Sequence, residues 1–252
     1  MQVKVSLDST AYYDKETAKN ETRLISKRIA GLKKEVSIAY LADKVGNCGY
    51  TFCPTIFKGL HRKESDFYEI QLFGIDIDSG TVYEKIKEKA DKYGLPISFS
   101  YHTFSSDKTN PRYRIIFTHM VPIYNKDVAQ MMLEMFKVLF PEADKSCFEL
   151  SRMFFGGKEL IEVNEEAVFG FNTLCDKFQE ELYVREPTQY NRNIKIFARK
   201  HDVGLNNRGL DIRTYKYGTG ECGKNVKKTG NNIKYVIELP QITTKIVIGS
   251  YI

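Results

Sequence analysis

The stretch Phe73-Gly74-Ile75-Asp76-Ile77-Asp78-Ser79-Gly80 places two carboxylates one residue apart in an apolar run that ends in a turn signal. On a strand, successive side chains alternate faces, so Asp76 and Asp78 share one side while Ile75 and Ile77 point toward a core. Like charges held that close repel, and each carboxyl is pushed toward its neutral form unless a cation stands between them. A divalent metal is the commonest such cation. By itself an Asp-x-Asp is more often a solvent-facing strand end, because Asp, Ser and Gly are ordinary turn residues. The surrounding chain shifts that balance.

Tyr68-Glu69-Ile70-Gln71-Leu72 leads into the run as strand. Beyond it, Gly80 opens a helix with Val82, Ile86 and Ala90 at i, i+4 and i+8, closed by Tyr93-Gly94-Leu95-Pro96. Residues 97–104 and 113–117 alternate as strands, and the polar loop 105–111 suits a hairpin connection. Asn125 or Asp127 starts a helix whose Val128, Met131, Met132, Met135, Phe136 and Leu139 make one apolar face. A Met-rich stripe of this kind reads as core before binding groove. Residues 160–163 read as a short strand and 172–182 as a helix. The order β-α-β-β-α over residues 68–140 predicts an α+β fold, a sheet with antiparallel pairing and helices against one face.

Toward the N-terminus, residues 1–7 alternate as a strand, 15–32 carry helical spacing through Leu24, Ile25, Ile29 and Leu32, and 36–41 form a strand or a short buried run. Gly46-Asn47-Cys48-Gly49 is a turn, residues 50–54 are extended, and Lys58, His61, Arg62 and Lys63 form a basic loop.

At 252 residues, 42% hydrophobic and 28% charged, the chain suits a soluble globular protein with one sizeable core and a smaller appended module. No apolar stretch approaches the roughly 20 residues that span a bilayer, and the N-terminus lacks a signal peptide's apolar region, so no membrane partner and a cytoplasmic location are expected. Cys48, Cys53, Cys147, Cys175 and Cys222 are odd in number and irregularly spaced, which argues for free packed thiols rather than a zinc site or disulfides. From Tyr183 onward there are 13 Lys or Arg against 5 Asp or Glu, a net of +8, whereas the first 182 residues carry −2. This basic segment, 183–252, is a small β-rich module, a partly disordered arm or an extension of the same domain, and its charge points to a polyanion, most simply nucleic acid. Within it Asn191-Arg192-Asn193, Asn206-Asn207-Arg208-Gly209 and Gly230-Asn231-Asn232 read as turn-like clusters.

Three further stretches carry chemistry. Arg112 and Arg114 share a strand face, which suits a phosphate that each guanidinium can bind with two hydrogen bonds. Asp144 follows a helix end in Phe140-Pro141-Glu142-Ala143-Asp144. Ser151-Arg152-Met153-Phe154-Phe155-Gly156-Gly157 sets a hydroxyl and a guanidinium before an aromatic strand and a Gly-Gly turn.

The succession Ile75-Asp76-Ile77-Asp78, Thr103-Phe104-Ser105 with Pro111-Arg112-Tyr113-Arg114, then Asp144 with Ser151-Arg152-Met153-Phe154-Phe155 resembles the archaeo-eukaryotic primase superfamily, in its phage- and plasmid-type primase-polymerase branch, over residues 45–165. The resemblance implies an RRM-like, mostly antiparallel catalytic sheet with helices on one face beside an N-terminal αβ module. The catalytic domain would cover 1–182, with modules of about 1–65 and 66–182. It implies Asp76, Asp78 and Asp144 as catalytic acids holding two Mg²⁺ or Mn²⁺ ions. Arg112, Arg114, Arg152 and Ser105 would contact the nucleotide, and the role of the family's usual histidine would fall first to Arg114, or to His102. The expected partners are an NTP or dNTP, a single-stranded DNA template near Lys58, Arg62 and Lys63 or the C-terminal segment, and a helicase supplied separately where unwinding is needed. The implied function is template-dependent nucleotidyl transfer, making or extending primers. A metal-dependent nuclease and a non-catalytic DNA-binding initiator module are the alternatives.

Overall fold

The first strand, β1 (Gln2–Ala11), is the middle of an antiparallel sheet in the order β2-β1-β3, with β2 at Lys33–Ser37 and β3 at Tyr50–Cys53. The structure, a computed structural model, describes residues 1–206, 209–211, 228–229 and 232–233. They fall into two units, Met1–Phe178 and Gln179–Ile252. The helix expected over 15–32 is two, α1 (Lys15–Asn20) and α2 (Thr22–Gly31). Asp14 caps α1 by accepting from Thr17 N–H at 2.8 Å, and the chain turns at Glu21. The break suits a polar network. The fully buried Asp8 accepts two bonds from Arg28, at 2.7 and 2.8 Å. Arg28 also donates to Tyr12 Oη, which donates to Glu21 Oε2 at 2.5 Å. Leu24, expected on the apolar face, is exposed, while Ile25 and Ile29 are buried.

The run expected over 36–41 divides at Ser37. Its hydroxyl accepts from Tyr40 N–H and so starts α3 (Ile38–Ala42), which continues as a π turn over Asp43–Asn47. After β4 (Thr55–Phe57) and β5 (Phe67–Ile77) come α4 (Tyr83–Lys92), β6 (Phe99–Thr103), β7 (Tyr113–Ile123), α5 (Lys126–Leu139) and β8 (Gly157–Val163). The second sheet has the order β4-β5-β7-β6-β8, antiparallel at every pairing. The fold is therefore α+β. α5 begins where expected, with Asn125 Oδ1 accepting from Asp127 and Val128 N–H, and its Met131, Met132, Met135, Phe136 and Leu139 are buried as core. Val82, expected in the apolar stripe of α4, is instead the exposed residue before its first turn.

The two faces of the second sheet have different neighbours. Phe73 and Phe117, opposite each other in register, both stack on Phe136 of α5, and Tyr113 meets Tyr83 of α4 edge to face. The helices thus cover the face carrying Phe73, Tyr113 and Phe117. On the other face Phe154 stacks on Phe52 of β3, and Phe52 also contacts Phe99. β5 is buried on both sides along most of its length. Its end, at Asp76, lies on the face that α4 and α5 leave uncovered.

Two glycines let the N-terminal strands close on this sheet. Gly49 has φ +76°, and a Cβ on Gly156 would lie 2.3 Å from the Gly49 backbone. No described helix is long and apolar enough to cross a membrane. Cys53, Cys147 and Cys175 are buried cysteines outside any disulfide and Cys48 is a half-buried one; Cys222 lies outside the described residues.

In the second unit, α6 (Phe171–Arg185) runs in from the first, and α7 (Tyr190–Lys200) is followed by the hairpins β9 (Gly204–Asn206) with β10 (Gly209–Asp211) and β11 (Lys228–Thr229) with β12 (Asn232–Ile233). Asn191-Arg192-Asn193, read as turn-like, lies inside α7. Burial of Ile194 and Ala198, four residues apart, overrides the weak local preference. Asn206 and Gly209 pair in register, while Asn207, Arg208, Gly230 and Asn231 lie outside the described residues.

Because the neighbour of Gly156 is backbone and cannot swing away, Gly156→Ala is expected to destabilise the protein by about 1–3 kcal/mol. A urea unfolding curve with an unshifted midpoint would refute the close approach.

Candidate active site

Asp76 sits near the end of β5, opposite Arg114 of β7 in register. Both are largely buried, and Arg114 Nη2 lies 3.0 Å from Asp76 Oδ2. A buried carboxylate needs a cation and hydrogen bonds to remain charged. Arg114 also donates through Nη1 to the Phe155 carbonyl and, at 3.4 Å, to Tyr101 Oη, while its Nε is buried without a partner. Burial pushes the Tyr101 hydroxyl up to about 12, so it stays protonated and donates to the Phe155 carbonyl. Most donors of Arg114 are thus used inside the protein. With those donors it holds Asp76 in place, and it also presents an edge to the cleft described below.

Asp144 reaches the same place from the turn after α5. Its N–H donates to the Asp76 carbonyl at 2.9 Å, and its carboxylate accepts from Ser146 N–H and Oγ at 2.9 and 2.6 Å. Partial burial raises the carboxyl of Asp144, but the bonds from Ser146 and the nearby Arg152 and Arg114 outweigh it and leave it below its usual value. Arg152 spans the two acids, with Nη2 at 3.5 Å from Asp144 Oδ2 and 3.8 Å from Asp76 Oδ2. Its Nε is buried and unpartnered. Asp78 lies one residue beyond β5 and is exposed.

Asp78, Ser105, Arg112 and the edges of Asp76 and Arg114 line one open cleft. The Arg112 guanidinium lies 3.2 Å from the side chain of Asn110, which accepts from Nε and Nη2 through its oxygen. The cleft also holds residues to which the sequence assigned no role. Lys15 comes from the start of α1, Thr103 from β6, and the half-buried rings of Phe104 and Phe155 form apolar wall. Phe104 and Phe155 pack on a cluster containing Tyr12, Ile25, Ile29, Cys53 and Phe57. Phe155-Gly156 was visible as an aromatic followed by a turn, but nothing local marks Lys15, which arrives by packing of one sheet against the other.

Two of the expected site residues do not line this cleft. His102 pairs with Tyr113 in register and so shares the helix-covered face, with its Nδ1 3.2 Å from Ser106 Oγ. It is not in the cleft. Arg62, expected on a template, is half-buried, donating to the Ser151 carbonyl and, at 3.4 Å, to Ser26 Oγ, so it braces the segment before Arg152. Lys58 and Lys63 are exposed.

The three acids expected to hold metal are not gathered into a preassembled ion site. Among the described residues no three His, Cys, Asp or Glu are gathered closely enough to hold an ion. The charge of Asp76 and Asp144 is balanced by Arg114 and Arg152 instead. Arg152→Gln removes the more exposed of these competing charges and is expected to tighten Mn²⁺ binding about tenfold, read from the electron spin resonance of free Mn²⁺. Weaker binding in that variant would make Arg152 a support of the acids and not their competitor. Arg114→Ala is expected to cost about 3–5 kcal/mol of stability by leaving Asp76 buried without its main partner. Arg112→Ala at the cleft mouth should cost under about 0.5 kcal/mol. Equal losses in chemical denaturation would overturn this division of roles.

No protein-family model matches the chain, and no curated protein matches it. Among solved structures the chain is similar to the AEP domain of the cyanophage S-2L primase-polymerase, at 10% identity and a TM-score of 0.37, over 69% of this chain and 86% of that one. A likeness of that size decides neither fold nor chemistry, and both rest on the residues described above.

Proposed function

We propose that the chain is a nucleotidyltransferase that adds nucleotides to a strand on a single-stranded DNA template. The observation that carries this reading is the mixed charge of one cleft. Asp76 and Asp78 stand beside Arg112 and Lys15, next to the hydroxyls of Ser105 and Thr103 and the rings of Phe104 and Phe155. Phosphoryl transfer asks little covalent chemistry of a protein and depends on positioning and charge. Arg112 and Lys15 would neutralise phosphate oxygens, Ser105 would donate to them, and the apolar wall would exclude water. Arg114 would hold Asp76 at its place on the sheet.

The reading carries with it two divalent ions, Mg²⁺ or Mn²⁺, whose hard oxygen ligands would be Asp76, Asp78 and Asp144. Arg152 would have to leave both Asp76 and Asp144 for that set to assemble. The pairing of these acids with arginines favours a second reading, a nucleic-acid-binding module without catalysis.

The test is incorporation of labelled NTP or dNTP on single-stranded DNA, with and without a primer, in Mg²⁺ or Mn²⁺. The wild type is expected to extend or start strands, and Asp76→Asn with Asp78→Asn to abolish this. Lys15→Ala and Arg112→Ala should each raise KM for the nucleotide about tenfold with a smaller effect on kcat, as removal of a charge-assisted bond to phosphate does. Shortening of a labelled strand in place of extension would make the protein a nuclease. DNA binding unaccompanied by either reaction would establish the non-catalytic module.

A further inference from the structure

The α7 helix contains Arg192, Lys195, Arg199 and Lys200 and no acidic residue. Its apolar positions Ile194 and Ala198 are buried, which turns the opposite side to solvent. Arg192, Lys195 and Arg199 are all exposed there. Their spacing of three and then four residues stacks them on one face over about two turns, roughly 10 Å. None of the three forms an ion pair among the described residues. Like charges at these spacings weaken a helix, so an unbalanced row costs stability until an anion covers it.

A second observation lies beside the first. Tyr183 of α6 is 57% exposed, and its ring meets that of Tyr190, the first residue of α7, edge to face at 5.6 Å between centroids. A large ring is thus held in solvent at the start of the basic row. Cations that track a backbone, with an exposed aromatic on which a base can stack, are what single-stranded nucleic acid needs from a surface.

We propose that the exposed face of α7, with Tyr183, is a binding site for single-stranded nucleic acid, with Arg192, Lys195 and Arg199 on phosphates and Tyr183 stacked on a base. An anionic membrane would attract the same charges, but it also needs an apolar face to bury. The apolar side of α7 is already turned inward, and Ile196 is its one large exposed apolar side chain. The site belongs to the second unit alone and stands whether or not the cleft transfers nucleotides.

The test uses the full chain and a labelled oligothymidylate, with affinity measured by fluorescence anisotropy across a range of salt and folding checked by circular dichroism. Replacing Arg192, Lys195 and Arg199 together by Gln is expected to weaken binding and to flatten the log–log salt slope by about 2, near 0.7 for each phosphate no longer neutralised. Tyr183→Ala should weaken binding about tenfold with the slope unchanged. That loss should vanish on an abasic strand of equal length. An unchanged slope in the triple variant would overturn the phosphate pairing, and an unchanged affinity in Tyr183→Ala would overturn the stacking. If the triple variant lost binding to phosphatidylserine vesicles while keeping the oligonucleotide, the face would be a lipid surface and the proposal would fall.

Discussion

The site depends on one buried ion pair, Asp76 with Arg114, placed opposite each other on neighbouring strands. Neither charge is tolerable alone in a largely buried setting, so the pair constrains the register of β5 against β7: a slip of one residue would put the two charges on opposite faces of the sheet. The same guanidinium gathers Tyr101 of β6 and the carbonyl of Phe155, which leads into β8. Three strands of the sheet, and the segment that leads into a fourth, thus meet around one arginine. Such a pair adds little net stability over an apolar substitute, and what it contributes is a definite arrangement at the place where chemistry is proposed.

Around that pair the protein builds outward with charge of alternating sign. Arg152 joins Asp76 to Asp144, and Arg62 in turn braces the carbonyl of Ser151. The cleft in front opens because α4 and α5 cover only the other face. The N-terminal elements come close through Gly49 and Gly156, where a side chain would collide with backbone, and α1 contributes Lys15 to the cleft lining.

Much of the secondary structure was legible, because it rests on short-range periodicity. The Met-rich α5, the Asp76 strand and the Arg112–Arg114 strand lie where alternation or helical spacing puts them. The reading failed where a local pattern met a tertiary demand. The expected single helix broke at Glu21, whose side chain accepts from Tyr12. The polar Asn191-Arg192-Asn193 became helix because Ile194 and Ala198 needed burial. His102 was a reasonable candidate by residue type, but which face of a sheet it shares with Arg114 depends on the pairing of β6 with β7, and that pairing is set by packing between segments distant in the chain.

The sequence by itself determined that Asp76 and Asp78 are neighbours at a strand end, that Arg112 and Arg114 share a face, and that positive charge gathers in the last seventy residues. Alternation and composition are local properties and need no partner to be read. Only the tertiary structure decided which charges meet. Asp76 and Asp144 face arginines within the chain, Arg112 and Lys15 are left toward the cleft, and Arg192, Lys195 and Arg199 are left toward solvent. Desolvation explains the difference. A charge removed from water must find an opposite one nearby, and which one is near depends on how distant parts of the chain pack.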